Sequence, residues 1–274
     1  MRKDGRKIPL VPILAGVAVL TLVGVLMNLL GKPPKEAAPD QDLEAGIAYL
    51  EEREAKSPSD VIQARKQIEQ QKINAHRDAL VAELTSGDQD PFAMFKDYVV
   101  LGDSRAVGFW YHKFLDKSRV IADGGHTIRN LKEEIDKIVE INPSTIYLCY
   151  GLNDISIGYW DTKEEYVAEY MDTVAEIQAR LPDATIVVSS ILPASEQAFA
   201  PGVKSSARWR NIPEWSKALG EACRENGILF AECDSLYTKY PNLWDPKDGV
   251  HFRKELYPYW ASMLVVTTLM EEGA

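Results

Sequence analysis

Residues 98–105 read YVVLGDSR: four apolar residues, Tyr98, Val99, Val100 and Leu101, break into Gly102, Asp103, Ser104 and Arg105. An uninterrupted apolar run closed by glycine is the pattern of a strand buried on both faces. A hydroxyl just beyond such a strand stands where an open parallel sheet gathers its ligand-binding groups. The same pattern recurs downstream, where the run 145–150 leads into Gly151, Leu152, Asn153 and Asp154. Further strand-like runs are expected at 119–122, 185–190 and 228–232. Helical segments are expected between and after the strands, at 105–114, 127–141, 163–181, 206–226 and 253–270. Short apolar runs alternating with amphipathic segments build a parallel sheet covered by helices. The expectation is a three-layer α/β/α domain with a five-stranded sheet over residues 92–274, its crevice at the carboxyl ends of the strands.

Three islands at those ends supply the residue types of acyl chemistry. Ser104 lies at the start of a helix, where a developing anion is favoured, although serine there also serves as a plain helix cap. Asn153 follows a strand, and Gly151 allows the turn that aims an amide into the crevice; an Asx turn is the plainer reading. Asp154, by the same argument, holds the loop by bonding backbone amides. Asp248 and His251 stand three residues apart, so that the carboxylate can fix the imidazole tautomer, against a helix cap at Asp248 and a surface histidine at His251. Gly124 and Gly125, after the second run, can each present a backbone N–H to an oxyanion, with Gly125 preferred. His126 lines the pocket or is structural, and Asp103 precedes the serine in the same crevice. Arg105 either orients an acidic substrate or pairs with a carboxylate. A nucleophile, oxyanion donors and a base in this order read as a serine hydrolase. The G-x-S-x-G turn of the α/β-hydrolases is missing.

The remainder of the chain bounds where this chemistry takes place. Residues 8–30 carry no charge and at about 1.5 Å per helical residue are long enough to cross a ~30 Å hydrocarbon core. Arg2, Lys3, Arg6 and Lys7 precede them, which predicts a single-pass anchor with a cytoplasmic N-terminus and an extracytoplasmic catalytic domain, against a cleaved signal peptide, whose apolar core is expected to be shorter. Residues 31–91 shift to Glu, Lys, Gln and Ala after Pro33, Pro34 and Pro39, and read as a charged, largely helical stalk with Asp60 as an N-cap; self-association through it is left open. The chain carries a net charge of −10, and its first seven residues hold four basic groups against one acidic. The rest is therefore more acidic still, which excludes a nucleic-acid partner. Cys149 reads as core packing, while a bridge between Cys223 and Cys233 is left open. No metal-site spacing is present and no cofactor is expected.

Over about residues 98–260 these blocks resemble the SGNH hydrolases, the GDSL family of esterases and acylhydrolases. Ser104 matches the family nucleophile, Gly124 or Gly125 the loop glycine, Asn153 the asparagine of the G-x-N-D block, and Asp248 with His251 the D-x-x-H pair. The second block departs from the pattern, reading Asp123, Gly124, Gly125, His126, and assigns its glycine to neither position uniquely. The resemblance implies a flavodoxin-like sheet and metal-free hydrolysis of an ester-bearing small molecule or an acetylated glycan. With the outward-facing anchor it implies O-acetyl groups on envelope glycans. Transfer of the acyl group to a polysaccharide hydroxyl is the alternative reaction, and a non-catalytic, membrane-tethered glycan-binding module the alternative class.

Overall fold

The computed structural model describes residues 45–46, 57–203 and 206–272; the apolar segment 8–30 lies outside them, as does most of 31–56. Among the described residues no helix is long and apolar enough to cross a membrane. The helices are α1 (Pro58–Leu84), α2 (Ser104–Tyr111), α3 (Ile128–Ile141), α4 (Leu152–Ile157), α5 (Lys163–Arg180), α6 (Ile212–Glu225), α7 (Ser235–Lys239) and α8 (Tyr257–Glu272). The strands are β1 (Tyr98–Gly102), β2 (Val120–Ala122), β3 (Thr145–Cys149), β4 (Thr185–Ser189) and β5 (Leu229–Ala231). They form one parallel sheet in the order β2-β1-β3-β4-β5. Gly102 pairs in register with Ala122 on one side and Cys149 on the other, so the loops leaving β1, β2 and β3 start level with one another. The strand order reverses between β1 and β3, and such a switch point is where open α/β sheets bind ligands.

Strand alternation fills both faces of the sheet. Val99, Leu101, Ile146, Leu148 and Val188 belong to a core with α3, α5 and α6. Val100, Tyr147 and Val187 belong to the opposite core, with α2 and α8. Helix α3 shows why the sequence folds this way: Ile128, Leu131, Ile135 and Ile138 recur at three- and four-residue spacing and are all buried. Each such side chain contributes about 2 kcal/mol on leaving water. Cys223 packs in the first core and Cys233 in the second, so both are free thiols rather than a bridge. Burial pushes each up to about 12.

Several boundaries differ from expectation for local reasons. Ser57 rather than Asp60 caps α1: its Oγ accepts from the Asp60 N–H, and Asp60 Oδ2 accepts from the Ser57 N–H, each at 3.2 Å. The last turns of α1 belong to the compact unit, which begins at Ile68, ahead of the alternating pattern. Val81 and Leu84 are buried there, and Arg77 pairs with Glu232 at 2.7 Å. The segment 206–226 divides into a 3-10 turn, Ala207–Asn211, and α6, with Pro213 in the first turn of α6 where its missing N–H costs nothing. The short helices α4 and α7 were not expected.

Candidate active site

Ser104 is the first residue of α2, and the helix cap belongs to Asp103, whose Oδ1 accepts from the Arg105 N–H at 2.9 Å. Capping therefore does not occupy the serine hydroxyl, and the Ser104 N–H, at the first helical position, has no intrahelical acceptor. Ser104 Oγ lies 2.9 Å from His251 Nε2, and His251 Nδ1 lies 2.7 Å from Asp248 Oδ2. Asp248 Oδ1 also accepts from the Val250 and His251 N–H groups at 2.9 and 3.0 Å. Desolvation pushes the Asp248 carboxyl up, but the hydrogen bonds from His251 and Val250 outweigh it and hold the group below its ordinary value. An ionised Asp248 accepts from Nδ1–H, which leaves Nε2 as the basic nitrogen facing the hydroxyl. Asp248 is not a helix cap, since α8 begins at Tyr257. The two side chains are 44% (His251) and 37% (Asp248) exposed, so this side of the site faces solvent.

The loop between β2 and α3 leaves the sheet level with the turn that carries Ser104. Gly151, at φ +136, turns the chain sharply from β3 into α4, which brings Asn153 and Asp154 against that loop. Asn153 Nδ2 donates to the His126 carbonyl at 3.0 Å, and Asp154 Oδ1 accepts from the Ile128 N–H at 2.8 Å. The other amides of the loop are also taken. Gly124 N–H donates to Asp123 Oδ1 at 2.6 Å, His126 N–H to the Asp123 carbonyl at 3.4 Å, and Thr127 N–H to Asn130 Oδ1 at 2.9 Å. Of the five consecutive N–H groups from Gly124 to Ile128, only that of Gly125 has no acceptor among the described residues. A side chain added at Gly124 or Gly125 would meet nothing within 4 Å, so this edge of the loop is open.

Behind these groups lie buried charges. Arg105 is 3% exposed and does not reach a substrate. Its Nη1 donates to the Leu192 carbonyl at 2.5 Å, its guanidinium lies 5.2 Å from the Phe252 ring centroid, and Nε and Nη2 have no partner among the described residues. The pairing reading of Arg105 does not hold, because no carboxylate oxygen lies within 4 Å of its guanidinium nitrogens among the described residues. Burial lowers it to about 10, with Asp103 pulling the other way. Burial likewise raises Asp103, which Arg105 partly offsets. Asp154 is raised to about 7, first by burial, which outweighs its amide bonds, with the charge of Asp103 adding to it. His126 contributes its carbonyl, while its Nδ1 is buried without a partner among the described residues.

The sequence reading missed the segment after β4, which braces the helix that carries the nucleophile and the loop that carries the base. Leu192 receives Arg105, the Pro193 carbonyl receives Trp244 Nε1 at 2.9 Å, and Ser195 N–H donates to the Gly249 carbonyl at 2.8 Å. Any side chain at Gly249 would run into the Ala198 backbone. Its sequence signal is the apolar run continuing past β4 through Ile191, Leu192 and Pro193. Among the described residues no group of three His, Cys, Asp or Glu side chains is placed to hold a metal ion.

Residues 84–257, more than half of the chain, match the GDSL-like Lipase/Acylhydrolase family. The chain belongs to this family. It is an ester-hydrolysing enzyme. Similar solved structures include a GDSL-like lipase from Parabacteroides merdae, 18% identical with a TM-score of 0.51 over 64% of this chain and 97% of that one. A GDSL-like lipase from Bacteroides thetaiotaomicron is 16% identical with a TM-score of 0.50, over 67% and 95%. At such identities the likeness is one of fold. No curated protein matches the chain by sequence.

Proposed function

We propose that this acylhydrolase is a serine esterase that removes O-acyl groups, chiefly O-acetyl, from cell-envelope glycans. The observation that carries the reading is the Ser104–His251–Asp248 relay, at 2.9 and 2.7 Å, beside a loop with one uncommitted N–H. Ser104 Oγ attacks the acyl carbonyl while its proton passes to His251 Nε2, and Asp248 holds the imidazolium that forms. The oxyanion is met by the N–H groups of Ser104 and Gly125 and by the second amide hydrogen of Asn153. The alcohol leaves with the proton from Nε2. A water, deprotonated by His251, then releases the acid and restores Ser104.

The half-exposed side chain of the base supports an ester carried on a bulky polymer and, through its contact with solvent, hydrolysis over transfer. Place supports the same substrate: residues 1–30 serve as a cytoplasmic tip and membrane anchor, and the chain between them and the compact unit that begins at Ile68 as a spacer that holds the catalytic domain outside. The test is acetate release by the full chain from p-nitrophenyl acetate and from O-acetylated cell-wall glycan, beside Ser104→Ala. Ser104-dependent release from both is expected. Release from the small ester alone rejects the glycan, and release that survives Ser104→Ala rejects the nucleophile.

A further inference from the structure

We propose that Asp154 is a positioning residue: paired with Asn153 it clamps the β2–α3 loop so that the Gly125 N–H is presented to the oxyanion. The inference rests on the reading of Gly125 and Asn153 as oxyanion donors. Asp154 is fully buried, at 0% exposure, and its Oδ2 has no partner among the described residues. Burying a carboxyl to serve the Ile128 helix-start amide and the amides of its own turn is costly, because water would serve such amides at an exposed helix end. The position of the bond explains the expenditure. Asn153 grips the His126 carbonyl and Asp154 grips the Ile128 N–H, so two consecutive side chains of α4 hold two points just past Gly125. Asp123 holds the preceding residue through the Gly124 N–H. Gly125 is thereby held from its C-terminal side while its own N–H stays free. A donor displaced by an ångström loses most of its effect on a transition state, which makes such a clamp worth a buried acid.

The experiment compares Asp154→Ala, Asp154→Asn and Asn153→Ala in the full chain, with kcat and KM on p-nitrophenyl acetate and Tm for each. Asp154→Ala is expected to lower kcat about 30- to 100-fold with KM within about threefold, as for a loss felt only in the transition state. Asp154→Asn keeps an oxygen for the Ile128 N–H and should restore kcat to within about fivefold of wild type. Ile135→Val, a buried change in the same helix α3, should lower Tm and leave kcat alone. The role is overturned if Asp154→Ala keeps kcat within threefold, if Asp154→Asn is no better than alanine, or if Ile135→Val slows turnover as much. Asn153→Ala should cost about 10²- to 10³-fold. Should that variant be fast, the donor reading fails and this inference with it; should it be slow while Asp154→Ala is fast, only the clamp is lost. Hydrogen exchange on the wild-type protein checks the clamp without any variant: a protected Ile128 N–H is expected, and rapid exchange there overturns it.

Discussion

The two carboxylates flanking the site live under opposite conditions. Asp248 lies on a half-exposed loop and gathers three hydrogen bonds from Val250 and His251. Asp154 lies in the core with one bond to a distant amide and one oxygen without a partner among the described residues. Burial pushes both upward. At Asp248 the hydrogen bonds win and the carboxyl falls below its ordinary value, whereas at Asp154 desolvation wins and carries it to about 7. The base side is thus built to keep a charge, and the loop side to keep a shape. The first is organised by neighbours in sequence, the second by contacts between β3, α4 and the start of α3.

That contrast breaks most visibly at the base. His251→Ala should lower kcat on the order of 10⁵-fold, since nothing else on the loop accepts the serine proton. Asp248→Asn should cost about 10³- to 10⁴-fold, because an amide can favour the wrong tautomer. A loss below tenfold would mean that the charge at Asp248 is incidental. Arg105→Met tests the scaffold behind the nucleophile and the base loop. Replacing a buried cation that lacks an ion pair should slow acidic and neutral esters by the same factor, roughly tenfold, through small displacements of Ser104 and of the Phe252 side of the base loop. A selective loss on acidic esters would return Arg105 to the substrate.

How much of this was legible depends on where each residue finds its partners. The strands were readable because parallel strands buried on both faces carry continuous apolar runs, as 98–101 and 145–149 do. The pairing of Asp248 with His251 was readable because it spans three residues. Asp103, rather than Ser104, as the helix cap was within reach too, since Asp is among the strongest caps. The fate of Arg105 was not readable, because its acceptor is the Leu192 carbonyl, 87 residues away. The difference between the Gly124 and Gly125 N–H groups was likewise hidden, because it comes from an Asp123 side chain that happens to fold back on the next amide. Helix α4 was missed because six residues are too few for a helical period to show. The bridge left open between Cys223 and Cys233 failed on a fact of layers, as the two thiols face opposite sides of the sheet.

The smallest predicted effect is in stability, and it separates the two carboxylates by pH. Asp248 is lowered in the folded protein, so its contribution is present above the ordinary 3.8 and is lost as pH falls through the depressed value. Asp154 is raised from 3.8 to about 7, so the folded state holds a proton that the unfolded chain has released between those values. Its contribution is therefore present below 3.8 and is lost as pH rises through about 7. Asp154→Asn stays neutral throughout and should be indifferent to that window. Between pH 5 and pH 8 the wild type should lose roughly 2–3 kcal/mol relative to the variant, on the order of 5 °C in Tm. Thermal melts of both proteins at the two pH values decide the matter. A Tm difference that is the same at pH 5 and pH 8 would mean that Asp154 does not titrate in this range, and the contrast between a charged and a shape-keeping side of the site would lose its electrostatic half.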